Sequence, residues 1–452
     1  MTNVVCRSCI TEEYLQDTLD FEIEDECSFC RSEANVVAFD ELVETCETAL
    51  LASFQYVHQP ISVVHFNRQP VGEHLYDVLT RMLGCSDDLM TAIGEALLEA
   101  WSHWSDDDPY FTEGVSPTSE ISSAWTEMER SLSDEARFVN PTAARVLEQV
   151  FGGIEQLNIG HSTSAIITIG PGFPFDRFLR ARVFSNDSAV SEALSHPERY
   201  LGPPPVGAGS AGRMNARGVS VFYGATDAHT AIAEVRAPVG SQVVTATFKV
   251  TRALRLLNLA ALSKIRPNRD LGYFDPKRLE QAQRCAFLAE LQSQLLLPVM
   301  PEMVDQGYLI TQVVADFLST HPTLNVDGIY FPSIQVEQHE DGSVGHNVIL
   351  FNKASGVLNA HEKHAVAHVN LWESDEEGSY FIPEIWAGEQ EEGGSSDDYL
   401  SLTLQASRYQ PALELLRNEI TIHRVERIRF KTKDTPVRYN STSSTSVEKP
   451  VG

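Results

Sequence analysis

The first 150 residues of this 452-residue chain contain no lysine, and nowhere does an apolar run approach the ~18 residues a membrane-spanning helix needs. The second absence argues against a transmembrane protein. The first leaves that third of the chain with seven arginines against 29 acidic residues, so it carries −22 of the total −29. A surface of that sign repels nucleic-acid phosphates and anionic headgroups, which argues against general nucleic-acid or membrane binding. No basic, apolar leader precedes the first cysteine, so the expected location is the cytoplasm. No internal repeat is present, which excludes a solenoid. What is there suits a folded protein: 42% hydrophobic and 9% aromatic residues, in a length that predicts two or more domains.

Four of the seven cysteines form a pattern. Cys6-Arg7-Ser8-Cys9 and Cys27-Ser28-Phe29-Cys30 are two C-x2-C knuckles separated by seventeen residues. This spacing supplies two thiolates per knuckle to one tetrahedral zinc ion. With all four positions taken by protein, the ion would be structural rather than catalytic. The plain alternative is four reduced thiols near a chain end. Cys46, Cys85 and Cys285 have no such partners and are expected in the core.

Hydrophobic periodicity predicts helices over 41–54 (with Asp40 as cap), 88–104, 119–132 and 142–157. A turn-rich run, Ile169-Gly-Pro-Gly-Phe-Pro174, follows. Beyond it strands are predicted over 219–223, 243–250, 254–257, 329–331, 347–351 and 420–430. Helices are predicted over 227–235 (capped by Thr226), 275–296 and 303–318. The fold class is therefore α+β, with a mixed sheet domain after a zinc-tied helical domain. The expected divisions are 1–38 for the four-cysteine knuckle, 39–168 for the helical domain, 169–431 for the sheet domain and 432–452 for a disordered tail. The acidic, Gly/Ser-rich stretch 373–398 is expected to be a solvent loop.

The most informative stretch is Gly212–Glu234, GRMNARGVSVFYGATDAHTAIAE. It places Arg213 in a glycine-rich loop, Tyr223 at the end of a strand, and Glu234 on the following helix. Pro332-Ser333 and Asn347 come about a hundred residues later. A guanidinium, an aromatic hydroxyl, a carboxylate and a serine suit a site that holds an anionic nucleotide and stabilises a developing cation. Taken singly, each has a bland reading: Arg213 paired with a surface acid, Tyr223 in the core, Glu234 on a solvated helix face.

From about Phe178 to Phe430 the chain resembles the RES domain family. The matching pieces are Phe178-Leu-Arg180-Ala-Arg182, Gly212-Arg213-Met214-Asn215, Gly218-Val-Ser-Val-Phe-Tyr223 and Thr230-Ala-Ile-Ala-Glu234-Val. Downstream come Tyr308-x-x-Thr311-Gln312, Asp327-Gly328-Ile329, Pro332-Ser333 and Asn347-Val-Ile-Leu-Phe351. The N-terminal part resembles the HEPN/RES N-terminal domain, which also carries paired CxxC knuckles. The resemblance implies a fold like that of ADP-ribosyltransferase toxins and an activity that destroys NAD+, releasing nicotinamide by phosphorolysis or hydrolysis. It implies Arg213, Tyr223, Glu234 and Ser333 as catalytic residues. Arg213 would clamp the diphosphate, Tyr223 stack on nicotinamide or touch ribose, Glu234 stabilise the cation, and Ser333 orient ribose or the attacking group. Arg180 or Arg182, on one side of a strand, would give a second anion contact, and Asn215 and Asn347 would shape the pocket. NAD+, with phosphate as a second ligand, is the small-molecule partner, and zinc the structural ion. Small RES proteins pair with an antitoxin, so an antitoxin or regulatory protein is a candidate partner here, and a homo-oligomer stays open. The acidic balance of residues 1–150 beside an Arg-bearing site adds the expectation that the helical part restrains the site, so that deleting 1–157 would raise activity.

Other readings stand beside this one. ADP-ribosyl transfer to a protein would use the same site with a different acceptor. Arg68-Gln-Pro-Val-Gly-Glu-His74 fits the Arg-x4–6-His spacing of HEPN ribonucleases, but Pro70 and Gly72 make a poor helix and the acidic surface disfavours RNA. A binding module without catalysis is opposed by the intact Arg213, Tyr223, Glu234, Ser333 set. His161, His229 and His364 show no metal-ligand spacing, and phosphorolysis needs a phosphate pocket that spacing alone does not locate.

Overall fold

The protein is described by a computed structural model over residues 3–59, 69–101, 109–114, 120–157, 159, 164–268, 270–296, 308–336, 342–358, 367–386, 409–429 and 432–438. Strands β1 (Val4–Cys6), β2 (Ile23–Glu26) and β3 (Glu33–Ala38) form a small antiparallel sheet, and α1 (Glu13–Thr18) lies between β1 and β2 in the chain. Strand β3 runs straight into α2 (Phe39–Ser53). A second antiparallel sheet follows from β4 (Phe54–Tyr56), β5 (Glu73–His74) and β6 (Tyr110–Glu113), with β6 in the middle. Between β5 and β6 run α3 (Leu75–Leu83) and α4 (Asp87–Trp101). Helix α3 stops at Gly84, whose left-handed backbone (φ 61°) a side chain would resist. Leu42, Cys46 and Leu50 of α2 and Ile93 and Leu97 of α4, each four residues apart, fill one buried core.

Helices α5 (Glu120–Asp134) and α6 (Pro141–Phe151) come next; Asn140 caps α6, its Oδ1 accepting from the Ala143 amide at 2.9 Å, and Pro141 opens it. The remaining strands are β7 (Ile166–Ile169), β8 (Arg177–Phe184), β9 (Phe222–Ala225), β10 (Gln242–Val250), β11 (Leu254–Asn258), β12 (Gly328–Pro332) and β13 (His346–Leu350), with β14 (His368–Asp375), β15 (Gly378–Trp386) and β16 (Leu413–Arg424). Eight of them make one mixed sheet in the order β16-β10-β8-β9-β13-β12-β11-β7. Only β11 and β12 pair in parallel, joined through α10 (Pro276–Leu296) and α11 (Leu309–Thr320). Helices α7 (Asp187–Ser195) and α8 (Pro197–Tyr200) follow β8, and α9 (Ala228–Glu234) follows β9. The sheet is buried on both faces. Trp125, Val146, Leu288, Val314 and Leu257 form the core on one side, and Phe178, Phe222, Phe248, Leu194 and Leu371 that on the other.

The expected α+β class is what the chain forms, with several differences of detail. The cores do not divide at residue 168: α5 and α6 bury their apolar faces against α10, α11 and the sheet. Deleting 1–157 would thus strip one layer of the sheet's own core, and a cut between Glu113 and Glu120 is the cleaner one. The expected helix 142–157 ends at Phe151 and gives way to a short 3-10 turn, Ile154–Gln156. The strand expected at 219–223 is paired only over Phe222–Ala225. The expected strand 420–430 is Leu413–Arg424, and the expected helix 303–318 is described from Leu309, residues 303–307 lying outside the described residues. Residues 373–386 are not a loop: they belong to the β14–β15 hairpin, where Trp372 packs on Phe381 with centroids 5.1 Å apart. The rest of that stretch, 387–398, lies outside the described residues, as do Arg68, His161, His364 and the tail beyond 438. Cys46 and Cys285 are buried, and burial pushes their thiols up to about 12 and about 11; Cys85 is half-buried. Among the described residues no helix is long and apolar enough to cross a membrane.

Candidate functional site

Two clusters carry chemistry. In the first, β1 and the turn after it present Cys6 and Cys9, and the β2–β3 turn presents Cys27 and Cys30. Their four sulfurs lie within 4.8 Å of one another. The separations are 3.6 Å for Cys6–Cys9, 3.5 Å for Cys6–Cys30 and 3.8 Å for Cys9–Cys27. A zinc tetrahedron with Zn–S of about 2.3 Å has edges of roughly 3.8 Å. The Cys6 amide also donates to the Cys27 sulfur at 3.3 Å, as a thiolate requires. Hydrogen bonds from Ser32 bring the Cys30 thiol down to about 6. The donor set, spacing and amide contact all fit a four-thiolate zinc ion.

The second cluster is a cavity of about 480 Å³ against the sheet, within the ~300–1,000 Å³ typical of small-ligand pockets. It opens where the sheet parts: β8 and β9 share a single register pair, Leu179 with Ala225. Arg180 reaches across that gap, its Nη1 donating to the Tyr223 carbonyl at 2.7 Å, with the guanidinium over the Phe222 ring at 5.6 Å. Burial, then the nearby charge of Arg182, brings the Arg180 guanidinium down to about 9.

The opposite wall is built around Tyr223. Its hydroxyl donates to Asn215 Oδ1 at 2.7 Å and accepts from the Met214 amide at 3.2 Å. Burial pushes it up to about 12. The hydroxyl is thus fully engaged and protonated at neutral pH. Asn215 does not line the cavity. It stands behind Tyr223 and spends its Nδ2 on the carbonyls of Ser210, Ala216 and Val219. A Cβ at Gly212 would fall 2.5 Å from Asn215 Oδ1 and 2.7 Å from the Tyr223 hydroxyl, so this turn has room for glycine alone. Arg213 extends from the same turn to the C-terminal end of α10, donating to the carbonyls of Leu295 and Leu296. Helix α11 holds the turn: Gln312 Nε2 donates to Gly212 O at 2.8 Å and Asn215 O at 3.0 Å, and Thr311 Oγ1 to the Arg213 carbonyl.

Glu234 ends α9. That helix is capped by Asp227, not Thr226: Asp227 Oδ1 accepts from the Thr230 amide at 2.8 Å. Thr226 instead ties β9 to β13, its hydroxyl accepting from the His346 amide at 3.0 Å. Glu234 Oε1 accepts from Ser333 Oγ at 2.8 Å and from Asn347 Nδ2 at 2.7 Å. Oε2 has no hydrogen-bond partner among the described residues. Ser333 is off the cavity wall and acts on the carboxylate, while Asn347 both lines the cavity and holds Glu234.

Of the residues singled out from sequence, Arg180, Arg213, Tyr223, Glu234 and Asn347 thus line one cavity, and Ser333 and Asn215 buttress it from behind. Arg182 does not join them; its Nη2 donates to the Gly202 carbonyl at 2.8 Å. The Nε atoms of Arg180, Arg182 and Arg213 are sealed from solvent without a hydrogen-bond partner, and none of the three forms an ion pair among the described residues. Two ionisable lining residues were not anticipated, Tyr308 and Arg236. Tyr308 belongs to a sequence fragment that carries the RES resemblance, yet nothing in that fragment signals a wall position. His229 is exposed and takes no part in the cavity.

Residues 180–372 match the family model described as the RES domain. The RES domain is associated with NAD-related toxin function, and the matched span holds every cavity residue except Leu179. No curated protein and no solved structure matches the chain.

Proposed function

We propose that the RES cavity cleaves the nicotinamide–ribose bond of NAD+ on an ADP-ribosyltransferase-like fold, and that the dinucleotide lies where the sheet parts between β8 and β9. One observation carries this reading: among the described residues Glu234 is the only carboxylate on the cavity wall. Ordinary glycoside hydrolysis needs two, because one must protonate the departing oxygen. A nicotinamidium leaves as neutral nicotinamide, taking the C–N electron pair, so no acid is required. What remains is to stabilise the oxocarbenium-like ribose, which one ionised carboxylate does. Ser333 and Asn347 saturate Oε1 and aim Oε2 at that task. The unpaired buried guanidiniums support an anionic substrate, since such cations favour an incoming counter-charge. Tyr223, with its hydroxyl locked, offers its ring to the cationic nicotinamide, which makes stacking its role rather than proton transfer.

The test is nicotinamide release from NAD+, with and without phosphate, by the zinc-loaded chain and by Glu234→Ala. We expect release by the wild type and a loss of about 10²–10³-fold in the variant. Phosphate dependence would assign phosphorolysis over hydrolysis, and label retained on protein would assign transfer. Absence of nicotinamide release from folded wild type would sink the reading.

A further inference from the structure

Among the charged side chains on the cavity wall, Arg180 and Arg213 already donate to protein carbonyls. Arg236, two residues beyond Glu234, makes no side-chain hydrogen bond and no ion pair among the described residues, yet lines the same cavity. Its backbone is unusual. At φ 48° it occupies the left-handed region, one of three non-glycine residues among those described to do so. It sits just past the C-terminus of α9, with its amide bonded to the Ala233 carbonyl at 3.2 Å. Glycine or asparagine is the residue this position favours. The chain thus sets a strained, uncommitted cation on the wall of a cavity whose other charged lining groups among the described residues are Glu234 and the carbonyl-bound Arg180 and Arg213. Strain of this kind gathers at functional sites.

We propose that Arg236 is an anion-binding residue that receives a phosphate group at the cavity mouth beside Glu234. This rests on the NAD reading only for the identity of that group, which is either inorganic phosphate brought in as the attacking co-substrate or a phosphate of the dinucleotide. In the first case a phosphate oxygen forms the bond to ribose C1 as the C1–N bond breaks and its electron pair leaves on nicotinamide. A planar guanidinium suits either source, offering paired N–H donors to two phosphate oxygens.

The experiment uses the full chain with zinc, and two variants, Arg236→Gly and Arg236→Asn. Both tolerate the left-handed backbone, so both are expected to fold and to melt higher than wild type, by about 1–3 °C. Inorganic phosphate and pyrophosphate are titrated separately by calorimetry, without NAD+ present. The expected result is a gain in Tm together with about tenfold weaker anion binding in both variants. Weakening for phosphate alone assigns the co-substrate; weakening for pyrophosphate assigns the dinucleotide. Unchanged affinity for both anions, or no binding by the wild type, overturns the proposal. A lower Tm in both variants overturns the strain argument on which it stands. Nicotinamide release is followed in parallel: a chain that binds anions through Arg236 but leaves NAD+ intact refutes the NAD reading and not this one.

Discussion

The four sulfurs of the N-terminal module come from two short knuckles, whereas the polar groups around the cavity come from β8, the 212–215 turn, β9, α9, α11 and the ends of β12 and β13. The two clusters differ in what specifies them. A C-x2-C knuckle fixes the relative placement of its two ligands within one turn of chain, so only the meeting of two knuckles depends on the fold. Ser333 and Asn347 meet Glu234, and Arg213 shares its cavity, only because β9, β13 and β12 are neighbours in the sheet and α10 and α11 bring the chain back between β11 and β12. One cluster is local chemistry that organises a small core. The other is a product of topology and depends on a core already built.

That contrast is most directly broken by removing the zinc ion that the four thiolates fit. Structural zinc contributes an apparent ~10–16 kcal/mol to the folding of small thiolate modules. Chelation, or Cys9→Ser with Cys27→Ser, is therefore expected to abolish amide-exchange protection over residues 3–38 and to weaken the core around Leu42, Leu50 and Ile93. Protection over β8, β10 and β13 is expected to persist. Loss of protection in both halves together would show one cooperative unit and end the distinction.

A second measurement sharpens where the boundary lies. Trp125 is buried at 4% exposure and packs on Phe287 of α10, with centroids 5.2 Å apart. Trp125→Ala should cost about 3–5 kcal/mol, and that loss should appear in exchange from the large sheet and not in the zinc module. If the zinc module softened instead, α5 would belong with the N-terminal core after all. The two halves do touch elsewhere: Tyr273 and Phe274, just ahead of α10, pack with the N-terminal core, and Arg278 Nη2 donates to Glu113 Oε1 at 3.0 Å. Because α10 ends at the carbonyls that hold Arg213, it is one rigid element running from that contact to the cavity.

The same division explains what could be read beforehand. The knuckles and the long helices were legible because spacing and 3.6-residue periodicity are local. The edge of β9 was not. Residues 219–221 are as apolar as a strand, and only the register of β13, which begins pairing at Phe222, decides where the strand starts. Thr226 and Asp227 are both good caps, and it is the β13 neighbour His346 that claims the threonine. The β14–β15 hairpin was hidden by acidic composition, although Tyr380, Phe381, Ile382 and Ile385 are residue types suited to a pleated surface. The cavity residues were found through family resemblance. Their individual roles still depended on contacts: Ser333 turned out to hold Glu234, and Asn215 to hold Tyr223. Arg236 went unnoticed because an arginine after a helix reads as a solvated C-terminal charge until its backbone angle and its place on the cavity wall are known.

The finest probe of the topological cluster is a single methyl group. Gly212→Ala would set its Cβ between Asn215 Oδ1 and the Tyr223 hydroxyl, closer to each than real Cβ atoms come. Something must yield. Asn215 is pinned through Nδ2 to three carbonyls and the turn is clamped by Gln312, so Tyr223 is the group that moves, breaking its bonds to Asn215 and Met214. The cost to folding should be modest, about 1–3 kcal/mol as for other overpacked sites. The cost to nicotinamide release should be larger, about 100-fold, because displacing a positioned ring by about 1 Å costs that much. Zinc content and exchange protection of residues 3–38 should be unchanged. A variant that lost stability but kept full activity would mean that the Tyr223–Asn215 contact supports the fold alone, and that the cavity tolerates far more slack in its walls than the crowding around Gly212 implies.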